Sequence, residues 1–333
     1  MKIGMIISTP IMSPTGGVRI QAIMWRDGFK QLGHEAELIN MWEEHDWKSY
    51  DAIIVLDFGG MFRMLIDSIY KYNKKIAIAP IIDPNINKYM YKFYCKYWGS
   101  KKLLGLTSRF NDLFDGCKKA QIFITRSNQE TEYLSYACDI SKDKIFQIPL
   151  SVRFQPLSKM PQKENFCLHV SRLRAANKNV ERLIKSAIKY GYELYLAGSL
   201  NGLEDQNWYN NLVGDNKNIH YLGQISDIEL QQWYKRAKIF ALPSLVEGVG
   251  MVALEAAGYG CEIVLTNLGA PKEYYDGLAE LVDPYSIDSI GKVILNCLNG
   301  KVSHQPQLMK YIDAHYSVNA ITQQLVDAIN TMK

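Results

Sequence analysis

Short apolar runs separated by helical patterns repeat along the first half of the chain with the spacing of an α/β layer built on a parallel sheet. Ile3 to Ile7, Glu35 to Ile39, Ala52 to Leu56, Lys75 to Ala79, Gln121 to Thr125 and Ile145 to Ile148 read as strands, and Gly17 to Leu32 as a helix closed by Gly33. The alternation pauses where Pro149, Pro156 and Pro161 interrupt a polar stretch. It resumes with strands near Phe166 to Val170, Glu193 to Ala197, Ile219 to Tyr221, Lys238 to Leu242 and Glu262 to Leu265. Two Rossmann-like, doubly wound α/β domains are expected, 1–158 and 159–313, with 314–333 as a final helix. Ligands of such sheets bind beyond the carboxyl ends of the strands, and paired domains face one another across that cleft. The loops after Val170, Ala197, Tyr221 and Leu242 are where chemistry is expected.

The loop after Leu242 is the most informative. Pro243-Ser244-Leu245-Val246-Glu247-Gly248-Val249-Gly250-Met251-Val252-Ala253-Leu254-Glu255 reads as strand exit, tight loop and helix start, with Glu247 in the loop and Glu255 in the helix. Glu255 lies about 7 Å along the axis from Gly250 at ~1.5 Å per residue, so the two carboxylates can bracket one medium-sized ligand. Gly248 and Gly250 let backbone approach that ligand, and the amides of Val249, Gly250 and Met251 are helix N-terminal donors suited to negative charge. The alternative is two solvated carboxylates. Against it, Ala253, Leu254, Ala256, Ala257 and Gly258 make the helix apolar almost all round, and a Glu there needs a ligand hydroxyl or a cation as partner.

Composition narrows the class. With 333 residues, 47% of them hydrophobic, the chain can bury a large core, and a formal charge of +4 falls short of a nucleic-acid footprint. The six cysteines form no Cys-x-x-Cys pair, so neither a zinc ribbon nor a disulfide framework is indicated. Met1 to Pro10 is too short and too soon interrupted for a signal peptide, and no apolar run reaches the ~18 residues of a membrane span. The expected location is the cytoplasm.

The loop after Val170 supplies Ser171-Arg172-Leu173-Arg174, followed by Lys178, with Asn177 as the expected cap of the next helix. Arg172 offers a planar fork and Lys178 a flexible point charge, which together neutralise a diphosphate without a metal. An ordinary solvated basic surface is the alternative.

The two motifs together suit a sugar joined to a nucleotide by phosphates. With Ser171-Arg172-Leu173, Lys178-Asn179, Leu196-Ala197-Gly198, Ile219-His220-Tyr221-Leu222-Gly223-Gln224-Ile225, Pro243-Ser244 and Glu247 to Glu255 in this order, the chain resembles the retaining glycosyltransferases of the GT-B fold. It resembles the large family four, glycosyl transferases group 1, whose hallmark is Glu, seven residues, Glu. Pro14-Thr15-Gly16-Gly17-Val18 before a helix ending Leu32-Gly33-His34-Glu35 is similar to that family's acceptor-side domain.

The resemblance implies roles residue by residue. Arg172 and Lys178 hold the diphosphate, Glu255 accepts the ribose hydroxyls, and Glu247 with the amides of Gly248, Val249, Gly250 and Met251 holds the transferred sugar. The backbone at Gln224 and Ile225 reads the base, Gly198 lies at the strand end beside it, and Gly16 and Gly17 face the phosphates from the first domain. Catalysis falls to Glu247, Arg172, Lys178 and Asp83. The last helix is expected to cross back to the first domain. No cofactor and no metal are expected, the nucleotide sugar being a substrate and the acceptor a glycan, lipid-linked or other hydroxyl in cell-surface polysaccharide or glycoconjugate synthesis. One departure stands out: many relatives carry His-Asp after the fourth strand, and this chain has Ile82-Asp83. Asp83 is left as a ligand contact or a turn residue before Pro84.

Lys88 to Lys102 interleaves lysines with Tyr89, Tyr91, Phe93, Tyr94, Tyr97 and Trp98. It is expected either to rest on an anionic membrane at the inner face or to pack its aromatics inward while its lysines snorkel. Other functions kept in view are a sugar-nucleotide epimerase of the same fold, a glycoside hydrolase, disfavoured because Arg172 and Lys178 would hold no leaving phosphate, and a catalytically degenerate binding or scaffold protein.

Overall fold

The computed structural model describes residues 1–8, 16–59, 62–98 and 108–333. They divide into two compact units, Met1–Ser151 with Val318–Lys333, and Val152–Ser317.

The first unit runs β1 (Lys2–Ile7), α1 (Gly17–Gln31), β2 (Glu35–Leu38), β3 (Ala52–Leu56), α2 (Phe62–Tyr70), β4 (Ile76–Ala79), α3 (Lys88–Lys96), α4 (Arg109–Cys117), β5 (Ile122–Thr125), α5 (Asn128–Cys138) and β6 (Ile145–Gln147). Its six strands lie in the order β2-β1-β3-β4-β5-β6, all parallel. β3, β4 and β5 are buried at every position, which is why their sequences read as unbroken apolar runs rather than as alternation.

The second unit runs β7 (Glu164–Val170), α6 (Val180–Tyr190), β8 (Leu194–Ala197), α7 (Gly202–Val213), β9 (Ile219–Gly223), α8 (Asp227–Arg236), β10 (Ala237–Leu242), α9 (Met251–Gly258), β11 (Glu262–Thr266), β12 (Glu280–Val282), α10 (Ile287–Leu298) and α11 (Gln307–Tyr316). The order β12-β11-β10-β7-β8-β9 is again all parallel. β12, absent from the sequence expectation, is an edge strand of three residues, too short to show a period. α12 (Val318–Asn330) belongs to the first unit and packs on α1. A Cβ on Gly28 would stand 2.1 Å from Thr322 Oγ1, so glycine sets how closely these two helices approach.

The unit boundaries fall at 151/152 and 317/318, against the expected 158/159 and 313/314. Prolines mark the linker by composition, but hydrogen bonds decide its allegiance. Val152 N–H donates to Tyr316 O at 2.8 Å and Leu157 N–H to Gly258 O at 3.0 Å, tying 152–157 into the second unit.

Candidate active site in the second unit

β7 and β10 are neighbours, yet from β7 the chain proceeds outward through β8 and β9, and from β10 the opposite way through β11 and β12. The loops leaving these two strands must diverge, and a crevice opens at such a switch point. Two asparagines lace its walls together. Asn177 accepts Leu245 N–H on its carbonyl at 2.8 Å and donates its side-chain amide to Val246 O at 3.1 Å. Asn179, buried and left-handed at φ 59, donates to Pro243 O at 2.9 Å and Pro284 O at 2.7 Å. The expected helix cap at Asn177 is therefore corrected. Asn179 is the N-cap of α6, without a side-chain cap bond, because both amides are committed to the neighbouring loops.

This lacing brings Lys178 to Glu247. Lys178 Nζ lies 2.6 Å from Glu247 Oε2, and the buried Ser244 hydroxyl donates to the same oxygen at 3.0 Å. Both side chains are mostly shielded from water, 19% and 12% exposed, so the attraction is stronger than a surface pair's. Arg172 stands exposed earlier in the loop. Gly250 is the left-handed N-cap of α9 at φ 76, and Gly248, Val249 and Met251 flank it, so the first turn of the helix starts at Met251, four residues after Glu247. A side chain at Gly250 would be strained by that φ and would press on Leu242 Cδ2 at 3.0 Å.

Beneath the Arg172 loop sits His169, which sequence alone does not single out because a histidine inside an apolar strand carries no motif. It is fully buried; its Nδ1 bonds Ala241 O at 2.8 Å and its Nε2 bonds Ser171 Oγ at 2.7 Å. A carbonyl only accepts, so Nδ1 carries the proton and Nε2 accepts from the serine hydroxyl. Burial, with the nearby Lys178 charge adding to it, lowers the imidazole from 6.5 to about 4, although the Ala241 bond opposes this. Gly198 completes the packing. At φ 146, its Cβ would stand 1.7 Å from Ser171 O, so β8 meets this loop backbone to backbone.

Glu255 lies in α9, 3% exposed, and both its oxygens are engaged. Arg153 Nε donates to Oε1 at 2.9 Å, Arg153 Nη2 to Oε2 at 3.2 Å, and Tyr234 OH to Oε2 at 3.1 Å. The partner that a buried Glu requires is thus an arginine from the linker, and it leaves unused lone pairs on the carboxylate. Burial raises the Glu255 carboxyl despite Arg153 and the Tyr234 hydroxyl. Arg153 also bonds Asp227 at 2.8 Å, at the start of α8. Exposed Gln224 and half-buried Ile225 precede Ser226, which caps that helix with a reciprocal capping box. One arginine therefore connects Glu255 to the helix that the Gln224 loop enters.

The remaining expected residues lie in the first unit. Gly16 is the extended N-cap of α1 and Gly17 its first residue, while Pro14 and Thr15 lie outside the described residues. Ile82 is buried, and Asp83, 41% exposed, pairs with Arg126 at 2.6 Å. Along α3 the side chains divide. Tyr91 is buried and Tyr94 half-buried, whereas Tyr89, Met90, Phe93, Tyr97 and Trp98 are exposed; Lys92 and Lys96 pair with Asp139, and Lys88 with Glu132 at 3.8 Å. Residues 99–102 of that segment lie outside the described residues. Among the described residues no helix is long and apolar enough to cross a membrane.

Two parallel α/β units with these loops define a GT-B glycosyltransferase fold, and residues 154–315 match the family model described as glycosyl transferases group 1. In structure, the chain is similar to sucrose-phosphate synthase from Thermosynechococcus elongatus, with TM-score 0.76 and 15% identity over 99% of both chains. It is also similar to Anabaena HepE in complex with UDP and glucose, with TM-score 0.68 and 13% identity over 100% of both chains. In sequence, it is 30% identical over 118 residues to the O-antigen chain mannosyltransferase B of Escherichia coli, covering 35% of this chain and 31% of that protein. The aligned stretches span about a third or less of the curated relatives' own lengths.

Proposed function

We propose that this protein transfers a sugar from a nucleoside diphosphate sugar to a hydroxyl of a glycan or lipid-linked acceptor, with retention of configuration and without a divalent metal. The observation that carries the reading is the Lys178–Glu247 contact at the β7/β10 switch point, inside the stretch matching glycosyl transferases group 1. Lys178 and Arg172 take up the diphosphate charge that grows as the anomeric carbon–oxygen bond breaks, the work a metal would otherwise do. Glu247, held by Lys178 and Ser244, meets the hydroxyls of the transferred sugar. Glu255, paired with Arg153, offers its remaining lone pairs to the ribose. The acceptor oxygen bonds to the anomeric carbon on the face the diphosphate leaves, and its proton passes to the departing phosphate oxygen.

Names among the relatives favour a cell-surface glycan as the acceptor class. The exposed aromatics of α3 suit the interfacial zone of a bilayer, an aromatic rather than electrostatic contact given its paired lysines. Sedimentation with neutral and anionic vesicles reads this directly. Equal binding to both, lost on replacing Phe93 and Tyr97 by Ser, supports it, and no binding to either overturns it.

The test of the reaction is incubation with a panel of nucleoside diphosphate sugars, with and without acceptor. Nucleotide release that depends on acceptor, persists in a chelator and yields the donor's anomeric configuration is the expected result. Interconversion of the nucleotide sugar alone would indicate an epimerase, and binding without turnover a scaffold.

A further inference from the structure

The carboxyl ends of β4 and β5 carry a buried ionic chain that the donor site does not use. Glu130, in the first turn of α5, receives three donors. Ile82 N–H reaches Oε1 at 2.6 Å, while Arg126 N–H at 2.7 Å and Arg126 Nε at 3.0 Å reach Oε2. Arg126 then donates from Nη2 to Asp83 Oδ1 at 2.6 Å. Glu130 and Arg126 are buried, whereas Asp83 is not. Ser127-x-x-Glu130 has the spelling of a capping box, and Ser127 Oγ does accept Glu130 N–H at 3.1 Å. The Glu130 carboxylate is instead turned to β4 and to Arg126.

Beside this chain the backbone is strained. Ile81 adopts φ 55, a conformation that a β-branched residue takes only where its surroundings impose it. Glu130 imposes it by gripping the next amide, Ile82 N–H. Pro84 restricts the backbone of Asp83 from the other side. The strained turn, the gripped amide and the guanidinium all converge on the direction of one exposed carboxylate, whose Oδ1 Arg126 holds.

We propose that Arg126 and Glu130 are positioning residues that aim Asp83 at a hydroxyl of the sugar acceptor, with the strain at Ile81 as the cost of that aim. The inference rests on the glycosyl-transfer reading. The acceptor is the assigned ligand because Asp83 lies in the unit that does not carry Arg172 and Lys178.

The experiment uses the full chain and four variants, Arg126→Lys, Glu130→Gln, Ile81→Gly and Asp83→Asn, with acceptor kinetics and the thermal shift given by nucleoside diphosphate sugar. Arg126→Lys is expected to lower kcat/KM for acceptor roughly tenfold through lost orientation, with donor KM and donor-induced shift unchanged. Ile81→Gly is expected to match or exceed the parent Tm, since glycine takes positive φ freely, and yet to lose several-fold in acceptor turnover. Arg126→Lys added to Asp83→Asn is expected to cost nothing further, because residues acting as a unit are not additive. A full additive loss in that double variant, or parental turnover in both Arg126→Lys and Ile81→Gly, overturns the proposal. Should Glu130→Gln fail to fold, those two comparisons decide alone. A parent that binds no nucleotide sugar overturns the glycosyl-transfer reading and this inference with it; a failure confined to the variants overturns only the inference.

Discussion

Lys178 Nζ and Glu247 Oε2 sit 2.6 Å apart although 69 residues separate them along the chain, and the Asn177 and Asn179 amides that lace their loops keep them so. The pair gives Lys178 a fixed place before any phosphate arrives. Lys178→Ala should lower turnover about a hundredfold or more, as loss of a preorganised charge does, and shrink the thermal shift given by nucleoside diphosphates. Glu247→Gln keeps shape and leaves Lys178 available, so nucleoside diphosphate binding should persist while turnover falls. Kinetics and thermal shift on the two variants separate these roles.

Arg153 is the only cation bonded to Glu255 among the described residues, and the carboxylate is buried. Arg153→Ala should cost about 3 kcal/mol, because an ion deprived of its partner in a shielded site is not rehydrated. Denaturant titration measures this, and adding Glu255→Gln to Arg153→Ala should restore much of the loss.

The same carboxyl gives a pH signature. Its folded-state pKa is raised above the ordinary 4.5 of a glutamate, so the folded protein holds that proton more tightly than the unfolded chain. The associated stability is present at acid pH and is lost as pH rises from about 4.5 through the folded value. Between pH 4 and pH 7 the melting temperature of the parent should fall relative to that of Glu255→Gln, the difference isolating this carboxyl from every other titrating group.

His169 acts in the opposite direction. With its folded pKa lowered to about 4 from 6.5, the neutral ring contributes stability that is intact above pH 6.5 and is lost as pH falls toward 4. The loss is of order 3 kcal/mol, taken up by the unfolded chain binding the proton first. His169→Gln should flatten stability over this interval, as followed by urea titration at stepped pH.

Gly198→Ala tests the backbone contact between β8 and the Arg172 loop. A Cβ there would stand 1.7 Å from Ser171 O, so the loop must move or the fold must yield. Overpacking of this kind costs ~1–3 kcal/mol, and donor binding should weaken along with Tm.

Much of the architecture was legible because parallel strands buried on both faces leave unbroken apolar runs that need no partner to be recognised, as in Ala52 to Leu56 and Ile239 to Leu242. Gly250 was equally legible, since the start of a helix after a tight loop asks for a residue at ease with positive φ. What escaped were residues whose meaning depends on a distant neighbour. Arg153 reads as linker until Glu255 is placed against it, and His169 as core until Ser171 and Ala241 are seen on its two nitrogens. Glu130 did leave a trace in Ser127-x-x-Glu130, but the trace names a helix cap, and only the fold turns that carboxylate toward Ile82 and Arg126.

The sequence by itself determined the periodicities, hence two α/β sheets, and the loops at their strand ends where Glu247, Arg172 and Lys178 reside. The tertiary structure decided which charges meet: Lys178 with Glu247, Arg153 with Glu255, Arg126 with Asp83. The reason is physical. Hydrophobic patterning is local and survives in one dimension, whereas a charge in a shielded site is defined by whichever opposite charge the strand order brings within a few ångströms, and that order is a property of the whole sheet.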